Sequence, residues 1–275
     1  MKTNYCAFTK RKRASLATII GHRGIPTLAP ENTLESFRLA FDQGADIVEM
    51  DVRLSRDNQV VVIHDRDLKR TTGVEKRVSE LTLQQLQELN AAHYHPKWHQ
   101  GNCKIPSLRE VFELFPDKLL AIEIKENSSL LVRKVMSLIA EFGRNQLTLV
   151  QIFRLGKKEA GLARQLAYSS TPSIHTGHSK QEQWKWGILA NLPRPSWKFA
   201  CESKVLDFPQ KRLGLPVITR ALVENAHANG VSVFAWTVNK PKDIARLYKL
   251  GVDAIYTDDV GQTHSVLRDL KDKRV

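Results

Sequence analysis

The sequence is poor in cysteine and has no long apolar run. Its three cysteines are odd in number, lie far apart and form no CxxC pair, which argues against a disulfide framework or a cysteine-rich zinc module. No segment reaches the roughly 20 consecutive apolar residues that a membrane-spanning helix needs. Residues 14–20 are too short and too polar for a secretory signal. These absences predict a cytoplasmic protein, and they leave a peripheral membrane contact open.

The chain also has fewer acidic than basic residues. There are 29 Asp+Glu against 42 Lys+Arg, which gives a formal net charge of +13. Such an excess favours anionic partners, among them phosphorylated metabolites and membrane headgroups. The basic residues are scattered, and their clearest run, at residues 10–13, lies near the terminus, so a solvated basic surface is the simpler interpretation. No nucleic-acid recognition motif accompanies the charge, and we expect no nucleic acid among the partners.

Chemically active side chains concentrate in one N-terminal stretch. His22 and Arg23 follow an apolar segment, Glu49 and Asp51 lie in the next one, and His64 follows a third. Histidines exchange protons near neutrality, paired carboxylates can hold a metal ion, and an arginine can clamp a phosphate group. Together these are the components needed to hydrolyse a phosphodiester, so an enzyme is the leading hypothesis.

Strand-like and helix-like segments alternate along most of the chain. Either Asn32 or Thr33 can cap the first helix, and Glu35 stands three residues after Asn32, as in a capping box. Strands are predicted at residues 17–20, 45–52, 119–124, 147–152, 231–237 and 254–257, with weaker candidates at 167–169 and 197–201. Further helices are predicted at residues 107–115, 129–142, 157–166, 181–191, 217–229, 241–250 and from about 260. This pattern predicts an α/β fold, a TIM (β/α)₈ barrel that forms a single catalytic domain over residues 1–275.

One strand-like segment does not fit the alternation. Residues 60–63 follow the second strand after only residues 53–59, a gap too short for a crossover helix, so an antiparallel hairpin is predicted. The hairpin would bring His64 to the rim that carries Glu49 and Asp51.

Residues 66–105 fit the repeating pattern poorly. They are predicted to form a small insertion after the second strand that caps the active site. The segment contains His93, His95 and His99, which resemble a metal-binding cluster by residue type. Pro96 interrupts them and no carboxylate accompanies them, so a cap surface is the favoured interpretation.

Polar residues recur at or just past the ends of the predicted strands, where TIM-barrel enzymes carry their chemistry. Glu49 and Asp51 stand two residues apart and so share one face of a strand. Glu123 would complete a three-carboxylate site for a hard divalent cation. The residues in this position are His22, Glu49, Asp51, Glu123, Lys125, Trp236 and Asp258.

These motifs resemble the glycerophosphodiester phosphodiesterase family over about residues 19–259. Each motif is weak alone, but together and in family order they are specific. They are His22-Arg23-Gly24, Pro30-Glu31-Asn32-Thr33, Glu49-x-Asp51, His64-Asp65, Glu123-x-Lys125, Trp236-Thr237-Val238-Asn239, Gly251-Val252-Asp253 and Thr257-Asp258. The family fold, a TIM barrel with a small insertion after the second strand, agrees with the pattern above.

The resemblance implies hydrolysis of a glycerophosphodiester to an alcohol and sn-glycerol 3-phosphate. His22 and His64 would be the general acid/base pair, and a small-molecule substrate would be the main partner. Arg23 and Lys125 would bind phosphate, whereas Trp236 would border the glycerol moiety or pack in the barrel. By the same match Glu49, Asp51 and Glu123 would hold Mg²⁺ or Ca²⁺, Glu31 and Asn32 would support the Arg23 loop or the metal site, and Asp65 and Asp258 would be structural partners.

Two regions depart from the family pattern and leave the alcohol open. Gln151-Ile152-Phe153 stands where the family often has Ser-Phe, and residues 171–216, with Trp184, Trp186 and Trp197, match no family motif. A membrane-associated lysophospholipase D-type enzyme and a non-catalytic anion-binding barrel are the alternatives. The nucleophile, water or the glycerol hydroxyl, and the oligomeric state stay open as well.

Overall fold

Strands and helices alternate through the part of the chain that the computed structural model describes, residues 8, 16–99, 101–189 and 203–273. The strands are β1 (Thr18–Gly21), β2 (Ile47–Leu54), β3 (Val60–Val62), β4 (Leu119–Ile124), β5 (Thr148–Gln151), β6 (His175–Thr176), β7 (Val205–Pro209), β8 (Lys211–Arg212), β9 (Leu215–Pro216), β10 (Ser232–Trp236) and β11 (Ala254–Thr257). The helices are α1 (Leu34–Asp42), α2 (Lys69–Thr72), α3 (Leu83–Gln87), α4 (Leu108–Leu114), α5 (Ser129–Glu141), α6 (Lys157–Ser169), α7 (Lys180–Leu189), α8 (Arg220–Ala228), α9 (Pro241–Leu250) and α10 (Val260–Asp272).

Eight parallel strands curl into a barrel. Neighbouring strands follow the order β6-β5-β4-β2-β1-β11-β10-β7. At the seam between β6 and β7, Ser203 Oγ donates to the Thr176 carbonyl at 3.1 Å, and the Asp207 amide donates to His178 Nδ1 at 3.3 Å. The predicted TIM barrel is confirmed.

Strand β3 forms the predicted hairpin with β2. The two strands are antiparallel, with Val52 opposite Val62. Asn58 lies in the connecting turn at φ 59°, a conformation that asparagine tolerates better than most residues. The return strand ends just before His64, so the histidine comes back beside β2 and lines the same cavity as Glu49.

Two layers of inward-facing side chains fill the barrel. The lower layer, which we call the apolar floor, is at most 2% exposed and consists of Ile20, Ile47, Ala121, Leu149, Val205, Phe234 and Ala254. Side chains two residues apart on a strand share a face, so the residue two positions after each floor residue also points inward. These residues are His22, Glu49, Glu123, Gln151, Asp207, Trp236 and Tyr256. Chemically active groups therefore lie directly above an apolar floor.

The outer helices cover the barrel with one apolar stripe each. In α5 the buried side chains, Leu131, Val132, Val135, Met136 and Ile139, repeat at intervals of three or four residues or stand side by side, as an amphipathic helix requires. Helix α9 has the predicted bounds because its ends carry strong signals. Pro241 opens it and Gly251 closes it at φ 92°, positions that favour proline and glycine.

Of the two weaker strand predictions, the first is wrong and the second cannot be compared with the structure. The strand predicted at residues 167–169 is wrong, because Ala160, Ala163 and Ala167 are buried at helical spacing and carry α6 through Ser169. The fifth barrel strand is β6, which is only two residues long. The strand predicted at residues 197–201 lies outside the described residues, and the sixth barrel strand is β7.

The segment 66–105 holds α2, a short 3₁₀ helix and α3, with a small apolar cluster shared with β3. Several hydrogen bonds tie it to the loop after β1, among them two from Arg70 to the Glu31 carboxylate at 2.9 and 2.6 Å. The Glu31 amide donates to the Tyr94 hydroxyl at 3.0 Å, and Trp98 Nε1 donates to the Leu28 carbonyl at 2.8 Å. Its role as a cap and the single-domain extent over residues 1–275 stay predictions.

Within the described ranges, none of the helices combines the length and apolar character needed to span a bilayer. The cytoplasmic location predicted from the sequence stays a prediction. The basic run at residues 10–13 lies outside the described residues.

Arg144 fastens the turn before β4 and is 1% exposed. Its guanidinium donates to the carbonyls of Phe115, at 2.7 Å, Pro116 and Lys118. We expect Arg144→Met to destabilise the protein because each orphaned buried carbonyl costs about 1–3 kcal/mol. Thermal denaturation should show a fall in Tm of roughly 5–10 °C. The control Arg109→Met, at an exposed arginine, should change Tm little; equal shifts in both variants would contradict this account.

Candidate active site

One open cavity lies at the carboxyl ends of the barrel strands. Its volume is about 170 Å³. TIM-barrel enzymes carry their active sites at this face. The lining residues are His22, Arg23, Glu49, His64, Glu123, Lys125, Gln151, Phe153, Arg154, Asp207, Trp236, Thr237 and Tyr256.

The loop after β1 has a tightly constrained backbone. Arg23 and Gly24 both have positive φ, 56° and 91°. A side chain at Gly24 would meet Ser36 Oγ at 2.3 Å, so both space and conformation require glycine here. Ser36 Oγ also accepts a hydrogen bond from the Ile25 amide at 2.8 Å. The turn places the Arg23 amide 2.9 Å from Glu49 Oε2, which fixes the loop to the carboxylate on β2.

Each residue of the Glu31-Asn32-Thr33 motif has a structural task. Asn32, at φ 58°, donates from Nδ2 to Asp51 Oδ2 at 2.9 Å and accepts from the Asp51 amide at 3.1 Å. Glu31 Oε1 accepts from Arg23 Nη1 at 3.0 Å. Of the two predicted helix caps, Thr33 is the one that accepts from the first turn of α1. Glu31 therefore holds Arg23, which was predicted to bind substrate. Asn32 holds Asp51, which was predicted to bind metal.

Strands β2 and β4 bring three carboxylates together. In the sheet register Asp51 lies opposite Glu123, and Glu49 shares the face of Asp51. One oxygen from each lies within 4.8 Å of the others, a spacing and donor set that fit one hard divalent cation. Within the described ranges, Glu49, Asp51 and Glu123 form the cluster of potential metal ligands that has this spacing. The three histidines of the insertion do not belong to such a cluster.

The three carboxylates repel one another in a buried setting. Burial, with Asp51 close by, raises the pKa of Glu49 to about 8. Burial alone would also raise the pKa of Asp51, but the charges of Lys125 and Arg23 hold that pKa well below its ordinary value. The Glu49 carboxyl therefore tends to hold its proton when no further cation is near. A metal ligand of this kind releases the proton when the metal binds.

Two side-chain cations flank Glu123. Lys125, with its side chain 4% exposed, places Nζ 2.9 Å from Asp51 Oδ1 and 2.8 Å from Glu123 Oε2. Arg154 Nε lies 2.8 Å from Glu123 Oε1. Lys125 thus contacts carboxylates, and its contact with phosphate stays a prediction. Sequence reasoning missed Arg154, although a charged residue just past a barrel strand is the signal that identified the others.

The two histidines are held in matching ways. His22 Nδ1 lies 2.7 Å from Asp258 Oδ1, and His64 Nδ1 lies 2.7 Å from Asp65 Oδ1. Each carboxylate orients its ring and leaves Nε2 as the nitrogen that can exchange a proton with substrate. Arg53 Nε further donates to the His64 carbonyl at 2.9 Å. Asp65 and Asp258, predicted as structural partners, contact the very side chains to which the acid/base chemistry is assigned.

The environments of the two rings differ in charge. Burial lowers the pKa of His22, but the hydrogen bond to Asp258 and the charge of Glu49 outweigh it, so the pKa is raised. Burial also lowers the pKa of His64, and that pKa stays below its ordinary value although Asp51 opposes the shift. Two imidazoles with pKa values moved apart can hold different protonation states at one pH, as an acid and a base must.

Comparison with known proteins identifies the family. The profile of the Glycerophosphoryl diester phosphodiesterase family matches residues 22–262. The chain belongs to this family. It is 33% identical over 248 residues to a glycerophosphodiester phosphodiesterase of Caldanaerobacter subterraneus subsp. tengcongensis, covering 88% of this chain and 93% of that one. The predicted family and enzyme class, a phosphoric diester hydrolase, are confirmed.

Two further relatives extend the comparison within the glycerophosphodiester phosphodiesterase family. Human lysophospholipase D GDPD1 is 29% identical over 274 residues, covering 90% of this chain and 85% of that protein. A phosphodiesterase of Oleispira antarctica, solved in complex with the product sn-glycerol-3-phosphate, is 25% identical and superposes with a TM-score of 0.74 over 92% of this chain and 97% of that one.

The orientation of His22 gives a pH-dependent expectation for this family member. We expect Asp258→Asn to lower the pKa of His22, because the carboxylate is the chief group that raises it. The limb of the pH profile of kcat/KM that reports His22 should move to lower pH by roughly one unit. Initial rates on glycerophosphocholine across pH would measure the shift. Asp65→Asn is the matched variant at His64, and an unmoved profile in both would contradict the assignment.

Sequence reasoning missed a buried polar network formed by side chains of β5, β7 and β11. Gln151 Nε2 donates to Asp207 Oδ2 at 2.9 Å and lies 2.8 Å from the Tyr256 hydroxyl. Burial raises the pKa of both Asp207 and Tyr256. The signal was an acid inside an apolar run, Val205-Leu206-Asp207-Phe208, the same pattern that identified Glu49.

The structure brings most of the predicted site residues into one place. Asp51 is fully buried beside the cavity, and Glu31 and Asn32 lie behind Arg23. Ile152, which replaces a serine of the family motif, is buried in the outer core, and its neighbours Gln151 and Phe153 line the cavity instead. The predicted residues that line the cavity are His22, Arg23, Glu49, His64, Glu123, Lys125 and Trp236.

Proposed function

We propose that the protein hydrolyses small glycerophosphodiesters to an alcohol and sn-glycerol 3-phosphate, with His22 and His64 as the acid/base pair. The observation that supports this most is the pairing of two carboxylate-held histidines in the cavity that also contains the three-carboxylate group. A proton must leave the nucleophile and another must reach the departing alkoxide. Two imidazoles with Nε2 available provide both transfers.

The remaining groups are proposed to bind charge. Glu49, Asp51 and Glu123 would hold Mg²⁺ or Ca²⁺, because their oxygens suit a hard cation and the pKa of Glu49 is raised when only side-chain cations are near. A bound ion supplies neutralisation of the charge that develops on the phosphoryl oxygens. Arg23 offers a planar fork for phosphate oxygens, Lys125 adds positive charge, and Trp236 offers a flat wall for the glycerol carbons.

A product assay tests the proposal directly. The full chain is incubated with glycerophosphocholine, glycerophosphoethanolamine, glycerophosphoglycerol and glycerophosphoinositol, and sn-glycerol 3-phosphate is measured. We expect hydrolysis that EDTA abolishes and that Mg²⁺ or Ca²⁺ restores. Absence of product from every diester, or full activity in EDTA, would overturn the activity or the metal role. Appearance of a cyclic glycerophosphate would identify the glycerol hydroxyl, rather than water, as the nucleophile.

A second candidate is lysophospholipase D activity, which would remove the headgroup from a lysophospholipid. Its support is the likeness to the human enzyme of that name and three exposed apolar side chains, Leu213, Leu215 and Trp184. Comparing rates on lysophosphatidylcholine and glycerophosphocholine separates the two candidates. Preference for the soluble diester would favour the first.

A further inference from the structure

A hairpin stands at the rim of the cavity. Strands β8 and β9 follow β7 after a single residue, Gln210. The Gln210 amide donates to the Trp236 carbonyl at 3.0 Å, and Gln210 Nε2 donates to the Thr237 carbonyl at 3.1 Å. Trp236 and Thr237 line the cavity. The hairpin is therefore fastened to the mouth of the barrel.

The hairpin tip exposes apolar groups that contribute nothing to the core. Leu213 and Gly214 form the turn, and both have positive φ, 50° and 80°. Such two-residue turns favour Asn-Gly, and a leucine in this conformation is strained. Leu213 is nevertheless 96% exposed and Leu215 is 72% exposed. The strained turn costs folding free energy and the exposed leucines return none by burial, so they point to a contact outside the chain.

A tryptophan extends the exposed apolar surface. Trp184 on α7 is 51% exposed, and the Arg212 guanidinium carbon lies 5.3 Å from its ring centroid. The preceding residue, Gln183, donates from Nε2 to the Asp207 carbonyl at 2.9 Å, which fixes α7 to β7. Tryptophan, with an apolar body and a polar N–H, is enriched at membrane–water interfaces. We call Trp184, Arg212, Leu213 and Leu215 the rim patch.

The charge around the rim patch decides between two occupants. The hairpin carries two cations and no acidic residue. Lys211 Nζ pairs with Asp243 Oδ1 at 3.2 Å, so the charge available on this surface comes from Arg212 and from Lys180 and Lys185, which are exposed on α7. The acid on α7, Glu182, is bonded to the Ser179 amide at 2.7 Å. A second copy of this basic surface would repel the first, whereas an anionic bilayer would attract it.

We propose that the rim patch docks the mouth of the barrel onto an anionic phospholipid bilayer. The leucines enter the interfacial region, the tryptophan ring lies at the headgroup level, and the basic side chains meet lipid phosphates. Docking places the cavity against the surface from which a lysophospholipid would be drawn. This consequence for the substrate class rests on the proposed function, but the docking itself does not.

Vesicle co-sedimentation of the full chain tests the docking. We expect binding to phosphatidylcholine vesicles that contain phosphatidylglycerol, with weaker binding as salt rises. The double variant Leu213→Asn/Leu215→Thr should weaken binding about tenfold or more, since two apolar groups no longer leave water. Asparagine suits the positive φ, so the hairpin is preserved. Arg212→Gln should weaken binding about fivefold. The control Leu114→Gln, at an exposed leucine on the opposite face of the barrel, should bind as the parent does.

Two results would overturn the proposal. One is equal vesicle binding by the parent and the double variant. The other is a parent that fails to bind vesicles but forms a dimer in sedimentation velocity that the double variant abolishes, which would make the rim patch a self-association surface. Hydrolysis of soluble glycerophosphocholine should be the same in parent and double variant. A parent that binds vesicles yet hydrolyses no diester would refute the proposed function and leave the docking intact.

Discussion

The His22→Ala variant is expected to hydrolyse its best glycerophosphodiester roughly 10²–10⁴ times more slowly than the parent, the usual contribution of a general acid or base. The substitution removes the ring that Asp258 orients through a 2.7 Å contact with Nδ1. The loss should fall on kcat more than on KM, because proton transfer belongs to the transition state. Steady-state release of sn-glycerol 3-phosphate from glycerophosphocholine gives both constants.

A matched control exists at the other end of the barrel. His227 Nε2 pairs with Asp253 Oδ2 at 2.8 Å, a histidine–aspartate pair that lies just before β11 and outside the cavity. His227→Ala should retain the parent rate. His64→Ala should lose a comparable factor to His22→Ala, and the double variant should lose less than the product of the two, since the residues act as a unit. A His22→Ala enzyme with most of its activity would refute the two-histidine mechanism.

Glu49→Gln is expected to abolish metal binding while stabilising the metal-free protein at alkaline pH. The carboxyl is 2% exposed, and its pKa is raised from 4.5 to about 8 in the fold. The native state therefore binds this proton more tightly than the unfolded chain does. Its contribution to stability is complete below pH 4.5 and is lost as the pH rises to about 8. Glutamine keeps the shape without the charge, so the variant should be more stable above that window by a few kcal/mol, on the order of 1.4 kcal/mol per pKa unit.

Thermal denaturation in EDTA, below and above that pH window, measures the effect. The parent should lose Tm across the window and regain it on adding Mg²⁺ or Ca²⁺, whereas Glu49→Gln should show neither change. Glu75→Gln, at a glutamate whose side chain is 74% exposed, is the control and should follow the parent. An alkaline Tm of Glu49→Gln equal to that of the parent would contradict the account of Glu49. A metal-induced rise in the variant would exclude Glu49 as a ligand.

The parts of the site that could be predicted are those whose signal is local. Glu49 and Asp51 stand in an apolar strand, and the short gap before residues 60–63 permits only a hairpin, so β2, β3 and the return of His64 followed from spacing alone. The helix α9 was predicted at its true bounds because proline and glycine mark its ends. In each case a few neighbouring residues determine the structure.

The parts that could not be predicted depend on closure of the barrel. Asp258 meets His22 across 236 positions of sequence, and Gln151 meets Tyr256 across 105. No local pattern encodes such pairs. Strand β6 has two residues and β7 ends in proline, so both give weak periodic signals. Residues 167–169 were assigned to a strand because a short apolar segment reads alike in strand and helix.

The apolar floor has a kinetic consequence. Its seven side chains are at most 2% exposed and close the barrel below the reacting groups, so traffic through the barrel axis is blocked at that end. Among the described residues the passage that remains is the cavity at the carboxyl ends of the strands, so substrate and products would share it. In the proposed reaction the alcohol and the charged phosphomonoester would leave one after the other, and accumulated sn-glycerol 3-phosphate would compete with incoming substrate for the same passage.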